Sequence, residues 1–138
     1  MQEETQISSD LTSPSTLELS EGSIVLGRYK VGRCLGEGAQ ASVYVVEDIH
    51  LQRKSALKVI RANSDERASE RFKREAQVLS SLDHEHIVKT FSSGDLSDGR
   101  HCMVMEFVEG ETFEARLKRQ KTLPSDEFTS IFSRVLLA

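Results

Sequence analysis

Three sets of residues in this chain could do chemistry by type and spacing. The first is Gly36-Glu37-Gly38-Ala39-Gln40-Ala41, two glycines and a small residue within six positions. Glycine lets a backbone come close to a phosphate, and successive N–H groups form an anion-binding concavity. An ordinary hairpin turn fits the same residues. Two sharper phosphate motifs fail. A dinucleotide-binding loop must lead into a helix, but residues 42–47 read as a strand, and the Gly-Lys-Ser/Thr of a Walker loop is absent. The second is Lys58, in mid-strand beside Ala56 and Ile60. A lysine among apolar strand residues is costly to bury unless it is paired; an edge lysine facing water is the plainer alternative. The third is Glu75, three residues from Phe72 and four from Leu79, on or beside the apolar stripe of a helix. It could pair with Arg71 at i−4 on the helix surface. It could also meet Lys58, 17 residues earlier, if the helix packs its stripe on that strand. His84-Glu85-His86 invites a metal reading, but two histidines with no third ligand nearby read as structural.

The elements that must position these residues follow from periodicity. Residues 29–35 and 41–47 read as strands flanking the glycines, and residues 54–61 alternate as a third. Asn63 is a candidate N-cap for a helix over 66–82, with Phe72, Ala76, Val78, Leu79 and Leu82 as its apolar face. Residues 87–91 and 101–108 read as two more strands, joined through turn chemistry at residues 94–99. A short helix over 111–119 follows. Pro124-Ser125-Asp126-Glu127 then starts another helix, striped by Phe128, Ile131, Phe132, Val135 and Leu136. The pattern is α+β: a five-stranded antiparallel sheet with one inserted helix, then two short helices, the last cut off at Ala138. The connections are too short for parallel crossovers.

Composition narrows the function. The chain has 138 residues, 38% hydrophobic and 29% charged, and no run approaches the ~20 apolar residues of a membrane span. Two cysteines, Cys34 and Cys102, without a CxxC, fit a reducing, cytoplasmic setting. Residues 1–22 carry Glu3, Glu4, Asp10, Glu18 and Glu21, eight Ser or Thr and no Lys or Arg. They read as a disordered acidic tail that could be phosphorylated. The remaining 23–138 hold 18 basic and 17 acidic residues, which gives no electrostatic footprint for nucleic acid.

Taken in order, the motifs resemble a known family. GEGAQASVY between strands, ALKV on the next strand, RFKREAQVL on a helix, LDHEHIV, then MVMEFVEG resemble the N-terminal lobe of protein kinases. The resemblance is to the bacterial Ser/Thr kinases of eukaryotic type and covers about residues 27–138. It implies ATP as the nucleotide and protein Ser or Thr as the substrate. Gly36, Glu37, Gly38, Ala39, Gln40 and Ala41 would cover the phosphates, with Val43 behind them. Lys58 matches the lysine that holds the α- and β-phosphates, and Glu75 the helix glutamate that positions it. Val43 and Ala56 match the residues packed on adenine. Met105 matches the gatekeeper, and the backbone of Glu106 and Val108 the hinge. Ala41 replaces a third glycine, and His84-Glu85-His86 stands where the family often has His-Pro-Asn.

The resemblance also marks what these 138 residues lack. The His-Arg-Asp and Asp-Phe-Gly motifs, which supply the base-like Asp and the Mg²⁺ ligands, do not occur. The chain is therefore expected to be the N-terminal part of a kinase, inactive by itself, with ATP held weakly against a roof and hinge alone. The alternative is a stand-alone, non-catalytic kinase-like binding module. In either case the stripe from Phe128 to Leu136 would lack cover, and self-association is expected.

Overall fold

The computed structural model describes residues 18–61 and 65–138. Six strands form one antiparallel sheet: β1 (Ile24–Val25), β2 (Tyr29–Glu37), β3 (Ala41–Asp48), β4 (Arg53–Ile60), β5 (Thr90–Asp95) and β6 (His101–Glu106). Their spatial order is β1-β2-β3-β4-β6-β5. Helix α1 (Glu66–Ser81) is inserted between β4 and β5, and α2 (Phe113–Gln120) and α3 (Ser125–Leu136) follow β6. The architecture is the expected α+β sheet with an inserted helix, with one strand more than expected. The addition is β1, a two-residue pairing of Ile24 with Lys30 and Val25 with Tyr29. Nothing in so short an apolar run distinguishes a strand from a turn.

Strand alternation divides β4 between two cores. Leu57 and Val59 enter one cluster with Val31, Tyr44, Val46, Cys102 and Val104. Ile60 enters another with Met103 and the helix residues Ala68, Phe72 and Ala76. Both faces of the centre of the sheet are therefore covered, one by β1, the turns and Leu96, the other by α1.

Helix α1 begins at Asp65, whose carboxylate accepts the Ala68 N–H at 2.7 Å. The N-cap is thus Asp65; the expected one, Asn63, lies outside the described residues. The apolar face of α1 is narrower than its sequence stripe. Ala68, Phe72 and Ala76 are buried and Leu79 packs beside them, but Val78 and Leu82 are 51% and 41% exposed. The fourth expected strand is displaced towards the C-terminus, because Gly94 and Asp95 pair with Cys102 and His101 instead of turning. The turn is the tighter stretch from Leu96 to Arg100, closed by Leu96 N–H to the Arg100 carbonyl at 2.8 Å. Gly99 supplies the positive φ of 84° that it requires.

Residues 1–17 lie outside the described residues, so the tail expected there has no structural account. Residues 18–22 engage the sheet: Leu19 packs on the first cluster, and the Gly22 N–H donates to the Val31 carbonyl at 2.7 Å. Helices α2 and α3 pack on each other through Phe113 and Phe132 at 5.8 Å and an Arg116–Glu127 ion pair. No residue of either helix is buried.

Candidate functional site

The site forms where β4, α1 and the β2–β3 hairpin meet. Lys58 lies opposite Val43 on one neighbouring strand and Met103 on the other. The buried residues Leu57 and Val59 flank it and fix its register, because a one-residue slip would exchange them with Lys58 and drive its charge into the first core cluster. On α1, Phe72 and Ala76 are anchored in the second cluster, which aims Glu75 back towards the sheet. The outcome is a Lys58 Nζ–Glu75 Oε1 ion pair at 2.8 Å, with Lys58 Nζ 5.8 Å from the centre of the Phe72 ring. Of the two partners open to Glu75, the strand lysine takes it, not Arg71.

An open cleft of about 750 Å³ surrounds this pair, within the size range of small-molecule sites. Nine of the thirteen site residues read from sequence line it: Gly36, Glu37, Gly38, Ala39, Gln40, Ala41, Val43, Lys58 and Glu75. The other four continue along the sheet. Ala56 pairs with Met105, and both lie on the Lys58 face by strand alternation. Glu106 ends β6, and its N–H already donates to the Lys89 carbonyl at 2.8 Å. Val108 follows in irregular chain and is 63% exposed.

Four further residues line the cleft that the sequence reading did not assign to it: Ile60, Ala68, Arg71 and Phe72. Ile60 was legible, since it shares a strand face with Lys58. Of the helix residues, the sequence places Phe72 on the apolar face, offers Arg71 as a surface partner for Glu75 and does not single out Ala68; Ala68 and Phe72 also belong to the core.

The glycine hairpin is held mainly through its backbone. Gly38 N–H donates to the Ala41 carbonyl at 2.8 Å and Arg61 N–H to the Gln40 carbonyl at 2.9 Å. Arg61 Nη2 reaches Glu37 Oε2 at 3.3 Å. A Cβ added at Gly36 would meet nothing within 4 Å, and one at Gly38 only the Ala41 carbonyl at 3.4 Å. The fold itself does not demand glycine at either position. What their bareness provides is backbone open to a ligand from the cleft.

The carboxylates of the cleft do not fit a divalent cation. Glu75 is held by Lys58 and Glu37 by Arg61, and the described residues contain no group of three His, Cys, Asp or Glu placed for a metal. His84 Nδ1 accepts the His86 N–H at 3.1 Å, and the two rings meet edge to face at 5.4 Å. The two most strongly perturbed groups lie outside the cleft. Asp48 is held at about 2 by the Arg28 guanidinium and by the N–H groups of Leu51 and His50. Burial pushes the Cys102 thiol to about 11, which makes it a poor nucleophile.

The protein kinase domain family matches residues 29–138. Serine/threonine-protein kinase PrkC of Bacillus subtilis (strain 168) is 38% identical over 119 residues, covering 85% of this chain and 18% of its own. Serine/threonine-protein kinase pkn2 of Myxococcus xanthus is 44% identical over 97 residues, covering 68% and 12%. The crystal structure of the Mycobacterium tuberculosis PknI kinase domain superposes with a TM-score of 0.70 at 30% identity, covering 86% of this chain and 48% of that one. The chain therefore spans under a fifth of these curated relatives and about half of a solved kinase domain. The likeness runs from the first long strand through the last helix, across both elements that carry the Lys58–Glu75 pair, and the chain belongs to the protein kinase family as a domain of the serine/threonine type.

Proposed function

We propose that the cleft binds ATP and that these residues form the nucleotide-binding part of a kinase transferring the γ-phosphate to protein Ser or Thr. The observation that carries this is the 2.8 Å Lys58–Glu75 pair beneath a hairpin of bare backbone. Glu75 holds the lysine extended across the cleft, so its ammonium is preorganised for the α- and β-phosphates. The N–H groups of residues 36–41 cover the phosphate chain from above. Val43 and Ala56 offer an apolar roof to adenine, and Met105 closes the back. The Glu106 carbonyl and the Val108 backbone supply hydrogen bonds to the adenine edge. The family uses Mg²⁺ with ATP, which shields phosphate charge, but no residue here is assigned to hold it.

By this reading residues 23–138 are a kinase N-lobe with hinge and the start of a second lobe, preceded by an acidic segment whose last residues, 18–22, join the sheet. Residues 23–138 lack the His-Arg-Asp motif that supplies the family's base-like Asp, so by themselves they bind nucleotide without transferring phosphate by the family's route. The second reading, a non-catalytic binding module, draws on the uncovered face of α3, where Val135 and Leu136 are 62% and 84% exposed. Titrating the chain with ATP in a calorimeter tests the first claim: a binding heat lost in Lys58→Met supports it, and no heat in the wild type overturns it. Incubation with radioactive ATP and a generic protein substrate tests the second. Label transfer that disappears in Lys58→Ala would show that these residues are a complete catalyst.

A further inference from the structure

We propose that the Glu37–Arg61 ion pair is a strap that sets the height of the glycine hairpin over the cleft, making Arg61 a positioning residue for nucleotide phosphates. The proposal rests on the ATP reading above. Glu37 stands between Gly36 and Gly38 at the last paired position of β2, opposite Ser42 and just after the β2–β3 register slips between Cys34 and Gly36. Arg61 directly follows β4 and grips the loop at two places. Its N–H donates to the Gln40 carbonyl at 2.9 Å, and its Nη2 to Glu37 Oε2 at 3.3 Å. Both ends of the glycine loop are thereby tied to the strand that carries Lys58, three residues upstream.

Two details point to positioning rather than to general stability. Arg61 Nε is buried with no acceptor among the described residues, so the guanidinium sits where its Glu37 contact places it and not where all its donors are satisfied. Arg61 is also absent from the cleft wall, whereas Glu37 is part of it. Arg61 can therefore act on a nucleotide through the loop or through its charge, and Glu37→Gln separates the two: losing a negative charge would strengthen phosphate binding directly, whereas losing the strap weakens it. The side chains are 23% and 44% exposed, so the pair contributes little to global stability. A short loop opens at a similarly small free energy, and there the same contribution matters.

The test uses the 138-residue chain with Arg61→Met, which keeps the apolar stem of the side chain, together with Glu37→Gln and the double variant. Affinity for a fluorescent ATP analogue and amide hydrogen exchange over residues 36–41 are read alongside the thermal midpoint. Each single variant should weaken nucleotide binding about two- to fivefold and speed exchange at the loop amides. The double variant should go no further than either single one, and the midpoint should stay within about 2 °C. High salt should narrow the difference between the wild type and Arg61→Met measured at the same ionic strength. Unchanged affinity, with or without faster exchange, overturns the proposal, as does a double variant whose loss is the product of the two. A wild-type chain that binds no analogue overturns the ATP reading and the strap with it. A chain that binds normally but ignores Arg61→Met overturns the strap alone.

Discussion

Substituting Lys58 separates a binding role from a structural one, because the geometry assigns very different magnitudes to the two. The Lys58–Glu75 pair is short, at 2.8 Å, yet its side chains are 28% and 45% exposed. Ion pairs exposed to that degree contribute about 0.2–1 kcal/mol net, since Coulomb attraction is offset by screening and side-chain ordering. In a domain of this length the loss of about 1 kcal/mol lowers the midpoint by roughly 4 °C. A charge-assisted hydrogen bond from the same ammonium to a phosphate is worth about 1.5–3 kcal/mol, or about 10- to 150-fold in affinity. Lys58→Met should therefore leave a folded chain with a midpoint a few degrees lower and nucleotide affinity down by one to two orders of magnitude. Glu75→Gln keeps an acceptor for Lys58 but loses the charge, and should weaken binding only about two- to fivefold. Circular dichroism melts and ATP titrations at one ionic strength check both. Two results would refute the reasoning: Lys58→Met binding ATP as the wild type does, or a midpoint falling by more than 10 °C, which would make the pair part of the core.

Other predictions follow from the rest of the fold. Phe72 is 6% exposed and joins α1 to the sheet, so Phe72→Ala should cost about 3–5 kcal/mol in denaturant unfolding and abolish nucleotide binding as well. Asp48 holds its charge down to about 2 when folded against an ordinary 3.8. The unfolded chain therefore takes up that proton first, and the stability Asp48 contributes above pH 4 is lost as pH falls from about 4 to 2. Melts across that range should be flatter in Asp48→Asn than in the wild type. Leu136 and Leu137 are 84% and 74% exposed next to Val135. Sedimentation velocity should show self-association of the chain that Val135→Glu with Leu136→Glu reverses.

The sequence made the site legible to the extent that strand alternation and helix spacing determine faces. Lys58 shares a face with Ile60 and opposes Val43, and Glu75 lies next to the Phe72 stripe, so their meeting required only that α1 pack on β4. What could not be read was how wide that packing is. Val78 and Leu82 are as apolar as Leu79, but the sheet beneath α1 ends at β5, and they stay about half exposed. Strand boundaries were misplaced where turn residues serve as strand residues. Gly94 lies in β5 close against Leu26, where a Cβ would approach Leu26 Cδ2 to 3.1 Å, so the glycine reports a close approach and not a turn. The Arg61–Glu37 contact was illegible for another reason: partners 24 residues apart in sequence meet only because β4 ends level with the hairpin tip.

The cleft has no core of its own. Its floor-side groups are outgrowths of two cores that would exist without it: Leu57 and Val59 anchor β4 from one side, and Phe72 with Ala76 anchors α1 from the other. Lys58 and Glu75 are displayed at the seam. The ion pair is therefore a consequence of the packing and not its cause. The glycine hairpin is different. Its tip is held by the Gly38–Ala41 and Arg61–Gln40 backbone hydrogen bonds, the end of the β2–β3 pairing and one partly exposed ion pair. Rigid cation below and compliant backbone above is the division of labour that phosphate binding favours. The charge that must be aimed is fixed by the buried residues on either side of it, and the N–H groups that must close on a ligand are left at low local stability. Changes in the cores should abolish binding together with folding, whereas changes in the hairpin should alter affinity and leave the fold intact.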